Sequence, residues 1–413
     1  MVDICIIGGG ASGIIAAIAA RMEDPDVSIC IIEKKDKIGS KLLATGNGRC
    51  NFTNALCENS SKILDFFHVL GIKARVEEQG RIYPYSGRAK DVVNVFESYL
   101  NAHNIKVYTE FVAEGLNFHT SDSHAPGRID ISGNGKKLSA KKVLLATGGK
   151  AGPQFGCSGD GYKMAREAGH TVTKVIPALS PVECEGSFEK LKGVRARASV
   201  TLYKKGNAVN TETGELQFTE YGLSGICIFN LSRDIRLEDG KFTDYEISVD
   251  LLYDISIDEL ELELKFRMDN PDIPNGNLLV SLVPEGLADF VLNRAGFNAA
   301  PCLEHGLKHD KNGRKFSISD EQIKQLAYLL KNLEFTVSNV KGWKFAQCTS
   351  GGIPVSEINM DTMESKIVKD LYFAGKLIDY DGPCGGYNLH NAWETGLKAG
   401  KAMAMKMKST ANV

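Results

Sequence analysis

Apolar positions along the chain fall into two rhythms, and the switches between them mark out its elements. The run Ile4 to Ile7 in "VDICIIGGG" is too short for a helix and stops on glycines, which predicts a buried parallel strand. The Ala/Ile-rich "ASGIIAAIAAR" that follows predicts a helix, and "VSICIIEKK" predicts a second apolar strand ending at Glu33. Helical spacing returns in "SSKILDFFHVLGI" and in "GRIYPYSGRAKDVVNVFESYLNAHNI", where Tyr83, Pro84 and Gly87 predict a turn before the helix. "KVYTEFVAEGLNF", "GRIDISG" and "KKLSAKKVLLATGG" alternate or run apolar between turn residues, predicting a small antiparallel layer that rejoins the parallel sheet.

From about residue 186 the character changes. "ASVTLYKKGN", "ELQFTEYGLSGICIFNLSR" and "TDYEISVDLL" read as barrel or sandwich strands. Helices then take over: "SIDELELELKFRM" opens with Ser256 and Glu259 at capping-box spacing, and "SISDEQIKQLAYLLKNL" with Ser319 and Gln322. "EFTVSNVKGWKFAQ" predicts a last strand of the insertion, "KDLYFAG" a further apolar strand, and "NAWETGLKAGKAMAM" an amphipathic helix with small residues.

Composition narrows the class. A length of 413 residues exceeds one ordinary domain and predicts two or three. A net charge of −2 predicts no general attraction to nucleic acid or to an anionic membrane. The fingerprint region holds the longest apolar stretch, too short to span a bilayer, and "MVDICII" lacks a basic n-region, so no signal peptide is expected. Ten cysteines without a C-x-x-C pair predict reduced thiols in a cytoplasm, no redox dithiol and no zinc site.

Candidate chemistry begins at Gly8, Gly10 and Gly13, placed between strand and helix as in a dinucleotide-binding turn. Glu33 follows Gly13 by 20 residues, the spacing at which a carboxylate accepts from a ribose hydroxyl. The strand at "LYFAG" and the glycine-rich loop after it would close the same sheet from the other chain end. That arrangement is typical of flavin adenine dinucleotide (FAD) enzymes, whose long cofactor needs a second set of backbone donors beyond the adenosine end. "LLATGG", Leu144 to Gly149, is a third element met in flavoproteins.

"KLLATGNGRCNFTN", "FTEYGLSG", "TSGGIP", "TMESK" and "LYFAGKLIDYDGPCGGYN" together resemble the YhiN/BaiN-like flavoproteins, the aminoacetone-oxidase family of FAD-binding enzymes, over essentially the whole chain. The resemblance implies an α/β fold with a discontinuous Rossmann-like FAD-binding domain, an inserted β-barrel and a helical subdomain. We place these at 1–185 with 349–413, at 186–256 with 333–348, and at 257–332. It implies FAD as cofactor, with the loop lying along the flavin through Lys41, Thr45, Asn47, Gly48, Arg49, Cys50 and Asn51. Further cofactor contacts are expected at Ala11, Ser12 and Lys34, at Ala146, Thr147 and Gly148, and at Gly375, Asp379, Gly386, Tyr387, Asn388 and Leu389. Arg49 can offset phosphate charge or stabilise anionic reduced flavin.

Four positions depart from the family pattern. Lys376 stands where a glutamate is usual, Gly152 where tyrosine is common, Glu220 where histidine is expected and Ile226 where proline is common. Loss of a ring at Gly152 would enlarge the pocket or remove a hydroxyl from it. Cys50 reads as a small packing residue ahead of a thiol nucleophile or a covalent flavin link. Tyr387, His390 and Arg49 are the candidate catalytic residues, Tyr387 as a phenol that protonates substrate and His390 as a proton donor. No second G-x-G-x-x-G follows a strand, so NAD(P)H is expected only as a transient visitor. The resemblance implies reduction of a conjugated C=C in a 3-oxo bile acid or steroid. An amine oxidase acting on an aminoacetone-like substrate, and a flavin-bound module for RNA or a protein partner, are the alternatives. A small-molecule substrate is expected, with neither nucleic acid nor membrane as partner; the oligomeric state stays open.

Overall fold

The computed structural model describes residues 1–119, 127–236, 242, 244–270, 272–273, 278–297 and 319–411. They form two compact units, Met1–Ala178 with Gly342–Val413, and Leu179–Lys341.

The first unit starts as its apolar runs dictate. β1 (Val2–Ile7), α1 (Ala11–Glu23) and β2 (Ile29–Ile32) make a strand–helix–strand opening, with Ile4 paired to Ile29 and Ile7 to Ile32 in parallel. The segment Leu42–Gly48 then forms two short helical turns separated by left-handed residues, and leads to β3 (Thr53–Asn54) and α2 (Ser60–Val69). β4 (Ala74–Val76) and β5 (Arg81–Pro84) join β3 in a small antiparallel sheet, and α3 (Ala89–Ala102) follows. The expected turn before the helix is made, closed by the Gly87 N–H on the Pro84 carbonyl at 2.9 Å with Gly87 left-handed; Tyr83 and Pro84 lie in the strand that leads into it.

β6 (Lys106–Tyr108) extends the parallel sheet beside β2, while β7 (Gly115–His119), β8 (Arg128–Gly133) and β9 (Lys136–Leu145) run as an antiparallel meander. β9 serves two layers: its first half pairs with β8, and its second half pairs in parallel with β1. α4 (Asp160–Glu167) and β10 (Ile176–Ala178) complete the N-terminal share.

In the second unit β11 (Val182–Cys184), β12 (Arg195–Lys204), β13 (Asn207–Thr219), β14 (Gly222–Gly225), β15 (Tyr245–Asp250) and β16 (Leu333–Val340) close into a six-stranded barrel, ordered β11-β14-β13-β12-β15-β16. Inward residues alternate along β15, where Tyr245, Ile247 and Val249 are buried. After Gly225 the run "ICIFNL" is helical, α5 (Ile226–Leu231), and this corrects its reading as strand. A short apolar run fits a buried strand or a buried helix equally, and periodicity cannot separate them. α6 (Ile257–Asp269), α7 (Glu285–Arg294) and α8 (Asp320–Lys331) form the helical part, and both expected capping boxes are made, at Ser256 with Glu259 and at Ser319 with Gln322.

The chain then returns to the first unit through β17 (Cys348–Ser350), paired with β10, and β18 (Leu371–Phe373), which adds in parallel to β9. α9 (Tyr387–Ala411) packs on α1. The packing is backbone-close: a Cβ on Gly396 would lie 2.5 Å from the Ser12 carbonyl oxygen, and one on Gly400 2.2 Å from that of Ala16. Among the described residues no helix is long and apolar enough to cross a membrane.

Candidate functional site

The fingerprint turn shows why glycine is needed at two of its positions. Gly8 takes a φ of +112°, and a Cβ there would strike the Ala146 carbonyl oxygen at 2.5 Å; one on Gly13 would come within 2.0 Å of the Gly8 carbonyl oxygen. At Gly10 a Cβ would meet nothing within 4 Å. Gly10, Ala11 and Ser12 thus open α1 with no side-chain cap and no acidic residue in its first turn. Such an end offers free N–H groups and positive dipole to a pyrophosphate. Glu33 is fixed by the N–H groups of Gly9 on one carboxylate oxygen and Lys35 on the other, each at 2.8 Å. Each oxygen keeps a lone pair for a ribose hydroxyl. Lys34 is turned to Asp160, at 2.6 Å, and to Ser158.

The loop 41–54 is held from both sides. Lys41 donates to the Ala151 carbonyl at 2.8 Å, and Thr45 to that of Leu42 at 2.7 Å. Asn47 and Gly48 lie in left-handed conformation, as does Cys50. Cys50 is fully buried, and burial pushes its thiol up to about 12, so at neutral pH it is neither nucleophile nor anion. The Arg49 guanidinium lies 4.0 Å over the Tyr83 ring and donates to Glu77 at 2.6 Å.

This loop is stitched to the start of α9. Asn51, with its amide nitrogen turned to the Ile82 and Thr53 carbonyls, accepts from the Gly386 N–H at 3.2 Å. Asn54 donates to the Gly385 carbonyl at 3.1 Å, and Trp393 Nε1 to that of Phe52 at 2.8 Å. Thr53 Oγ1 and His390 Nδ1 are 2.7 Å apart. His390 is buried, and desolvation lowers its pKa, which keeps the ring neutral at pH 7. Asn388 closes the loop ahead of the helix, accepting from the Gly382 N–H at 3.0 Å and donating to the Gly382 carbonyl at 2.8 Å. Tyr387 is partly exposed at the first position of α9, burial raising its phenol, and Leu389 packs against the core.

Two strand ends lie against the fingerprint turn. Ala146 bonds to β1 through its N–H, and Gly148 is left-handed. The hydroxyl of Thr147 between them is buried and has no hydrogen-bond partner. Gly375 donates to Thr395 Oγ1 at 2.9 Å, and a Cβ there would lie 2.5 Å from Ser12 Oγ. Asp379 is committed to Thr173, at 2.8 Å. The Lys376 ammonium donates to two carbonyls, Gly351 at 3.2 Å and Ile378 at 3.1 Å, and burial lowers its pKa.

The structure therefore brings the fingerprint, Glu33, the loop and the start of α9 into one unit. It turns the side chains of Lys34 and Asp379 to protein partners. FAD fits this donor set: an uncapped helix start, a carboxylate with spare lone pairs, and a buried threonine hydroxyl without a protein partner at the strand end. Two contributors were missed in the sequence, Thr53 and Asn54, although both lie in the quoted loop. Glu77, which fixes Arg49, carried no sequence signal. Among the described residues no cluster could hold a metal ion.

A parallel sheet opened by a glycine fingerprint and closed from both chain ends, with this loop folded onto it, defines a flavin-dependent oxidoreductase. The HI0933-like protein Rossmann domain family matches residues 2–62 and 58–402, and the chain belongs to that family. It is 35% identical to the 3-dehydro-bile acid delta(4,6)-reductase of Clostridium scindens, over 97% of this chain and 98% of that protein. It is 26% identical to the ribosomal RNA dihydrouridine synthase of Haemophilus influenzae, over 94% and 95%. In fold it is similar to the 3-ketosteroid delta1-dehydrogenase of Sterolibacterium denitrificans, with a TM-score of 0.51, 12% identity, and coverage of 98% of this chain and 99% of that one.

Proposed function

We propose that the protein reduces a carbon–carbon double bond conjugated to a carbonyl, using NADH or NADPH, in a 3-oxo bile-acid- or steroid-like substrate. The near full-length likeness to the Clostridium scindens reductase carries this reading. Bound FAD supplies the hydride-transfer chemistry. The fingerprint turn and the start of α1 would hold the pyrophosphate, Glu33 would take the adenosine ribose, and the loop 45–51 with residues 386–389 would hold the flavin end. Tyr387 stays protonated at neutral pH and donates to the enolate that hydride addition leaves on the substrate. His390, neutral and bonded to Thr53, holds the loop in place.

Anaerobic titration of the yellow protein with NADH and then NADPH, followed by a steroid enone or air, tests the reading. Bleaching that the enone reverses quickly and air slowly supports it. No bleaching by either nicotinamide, with reduction by an amine and rapid recovery in air, overturns it in favour of an amine oxidase.

A second reading has support of its own. The likeness to the Haemophilus influenzae dihydrouridine synthase also spans nearly the whole chain. A uracil ring carries a C=C conjugated to a carbonyl, so the same hydride and proton deliveries would reduce it within RNA.

A further inference from the structure

Residues 73–90 hold five lysines and arginines against two glutamates, in a chain whose net charge is −2. Their placement is set by strand register. Arg75 is paired with Tyr83, and Asn54 with Arg81, so alternation puts Lys73, Arg75 and Glu77 on one face with Arg81, Tyr83 and Tyr85. Ile82 and Thr53 point the other way, into the core.

The face is organised by rings and guanidinium groups. Tyr85 is 56% exposed, with Lys73 Nζ 5.5 Å and the Arg75 guanidinium 5.9 Å from its ring centre. Tyr83 lies beneath Arg49, and Glu77 accepts from both Arg49 and Arg75, the second at 3.1 Å. Four cations thus share the face with one carboxylate. Arg81, bonded to Gln79, reaches the loop before α9: a Cβ on Gly385 would lie 3.9 Å from Arg81 Nε and 3.8 Å from the Tyr387 ring. The charged face therefore borders the residue assigned to donate the proton.

We propose that this face binds single-stranded RNA, with phosphates on Lys73, Arg75 and Arg81 and an unstacked base on Tyr85. The inference rests on the second reading above. Exposed tyrosine between cations suits a nucleic acid strand, because bases stack on the ring while the backbone tracks the charges. A bile-acid side chain offers a single carboxylate, which with Glu77 would still leave two of the four cations unanswered. An enzyme that reduces a base must also take it out of its stack, and this face would hold the flanking nucleotides while it does so.

The test is fluorescence anisotropy of the FAD-loaded protein with a labelled, uridine-containing single-stranded RNA of about 12 nucleotides. Wild type should weaken about twentyfold between about 50 and 200 mM salt, as three phosphate contacts on a single strand require. Lys73→Ala with Arg75→Ala should weaken binding at least about fivefold and flatten the salt dependence. Tyr85→Ala should weaken it by a similar factor with the salt slope unchanged. Melting curves confirm that each variant is folded. Folded variants that bind as wild type, or a face that binds a bile-acid carboxylate and not RNA, overturn the proposal. Mass spectrometry of RNA incubated with protein and NADPH separates the two ideas. Binding lost in the variants without a gain of two hydrogens keeps the face and removes the uracil reading. A gain of two hydrogens that the substitutions leave untouched does the reverse.

Discussion

Lys376, which stands where the family pattern has a glutamate, is costly to bury, and a positive charge there would favour an anionic cofactor. Its ammonium donates to two carbonyls, and burial lowers its pKa against the opposing pull of the Asp381 and Asp379 carboxylates. Lys376→Met should therefore raise the melting temperature of the FAD-free protein, by about 2 °C, while shrinking the further rise that FAD produces. Thermal scans with and without FAD read both signs, and a variant that lowers the first or leaves the second unchanged removes Lys376 from the cofactor's surroundings. Tyr387 makes a sharper demand. If its phenol delivers the proton, Tyr387→Phe should cut kcat about a hundredfold at unchanged FAD content, and flavin reduction by nicotinamide should keep its rate. Loss of the reductive half alone would show that Tyr387 positions the flavin.

Element contacts decide how firmly the loop is held. Thr53 in β3 meets His390 in α9, and the ring's folded pKa lies below the unfolded value near 6.5. As pH falls through about 6.5 the unfolded chain takes up a proton that the folded ring resists, so stability declines with acid and is unaffected above that point. Urea midpoints at about pH 5 and pH 7.5 should show this decline, and His390→Gln should reduce it. Helix α9 also meets α1 backbone to backbone. Gly400→Val would drive a side chain into the Ala16 carbonyl and should cost more than about 3 kcal/mol, read by chemical unfolding. Much of this layer is legible in the sequence. The fingerprint and both capping boxes are local signals, complete within a few residues, and Glu33 follows at a fixed spacing within one strand–helix–strand unit. The Arg49–Glu77 pair, the Thr147 hydroxyl without a partner and the shared face of Arg75 and Tyr83 depend on register and tertiary approach, which spacing along the chain does not encode. The reading of residues 226–231 as strand failed for a related reason, since a run of six residues that is apolar except at Asn230 is too short to carry a period.

On the scale of the whole molecule, composition conceals what position reveals. A net charge of −2 averages a cationic sheet face with acidic helices elsewhere, so it speaks only to non-specific attraction. The chain enters and leaves its second unit through one antiparallel pair, in which Ile176 faces Ser350 and Ala178 faces Cys348. Chain ends this close can be joined by a short turn. Every residue assigned to FAD lies outside Leu179–Lys341. Replacing that segment with a short glycine-rich linker should therefore leave a first unit that folds and stays yellow, its core being continuous from β1 to α9 without the barrel. Flavin absorbance after gel filtration, with circular dichroism to confirm the fold, reads the result. A folded, colourless product that fails to take up added FAD would mean that the second unit supplies part of the cofactor's binding, and would move the search for the missing contacts to the barrel.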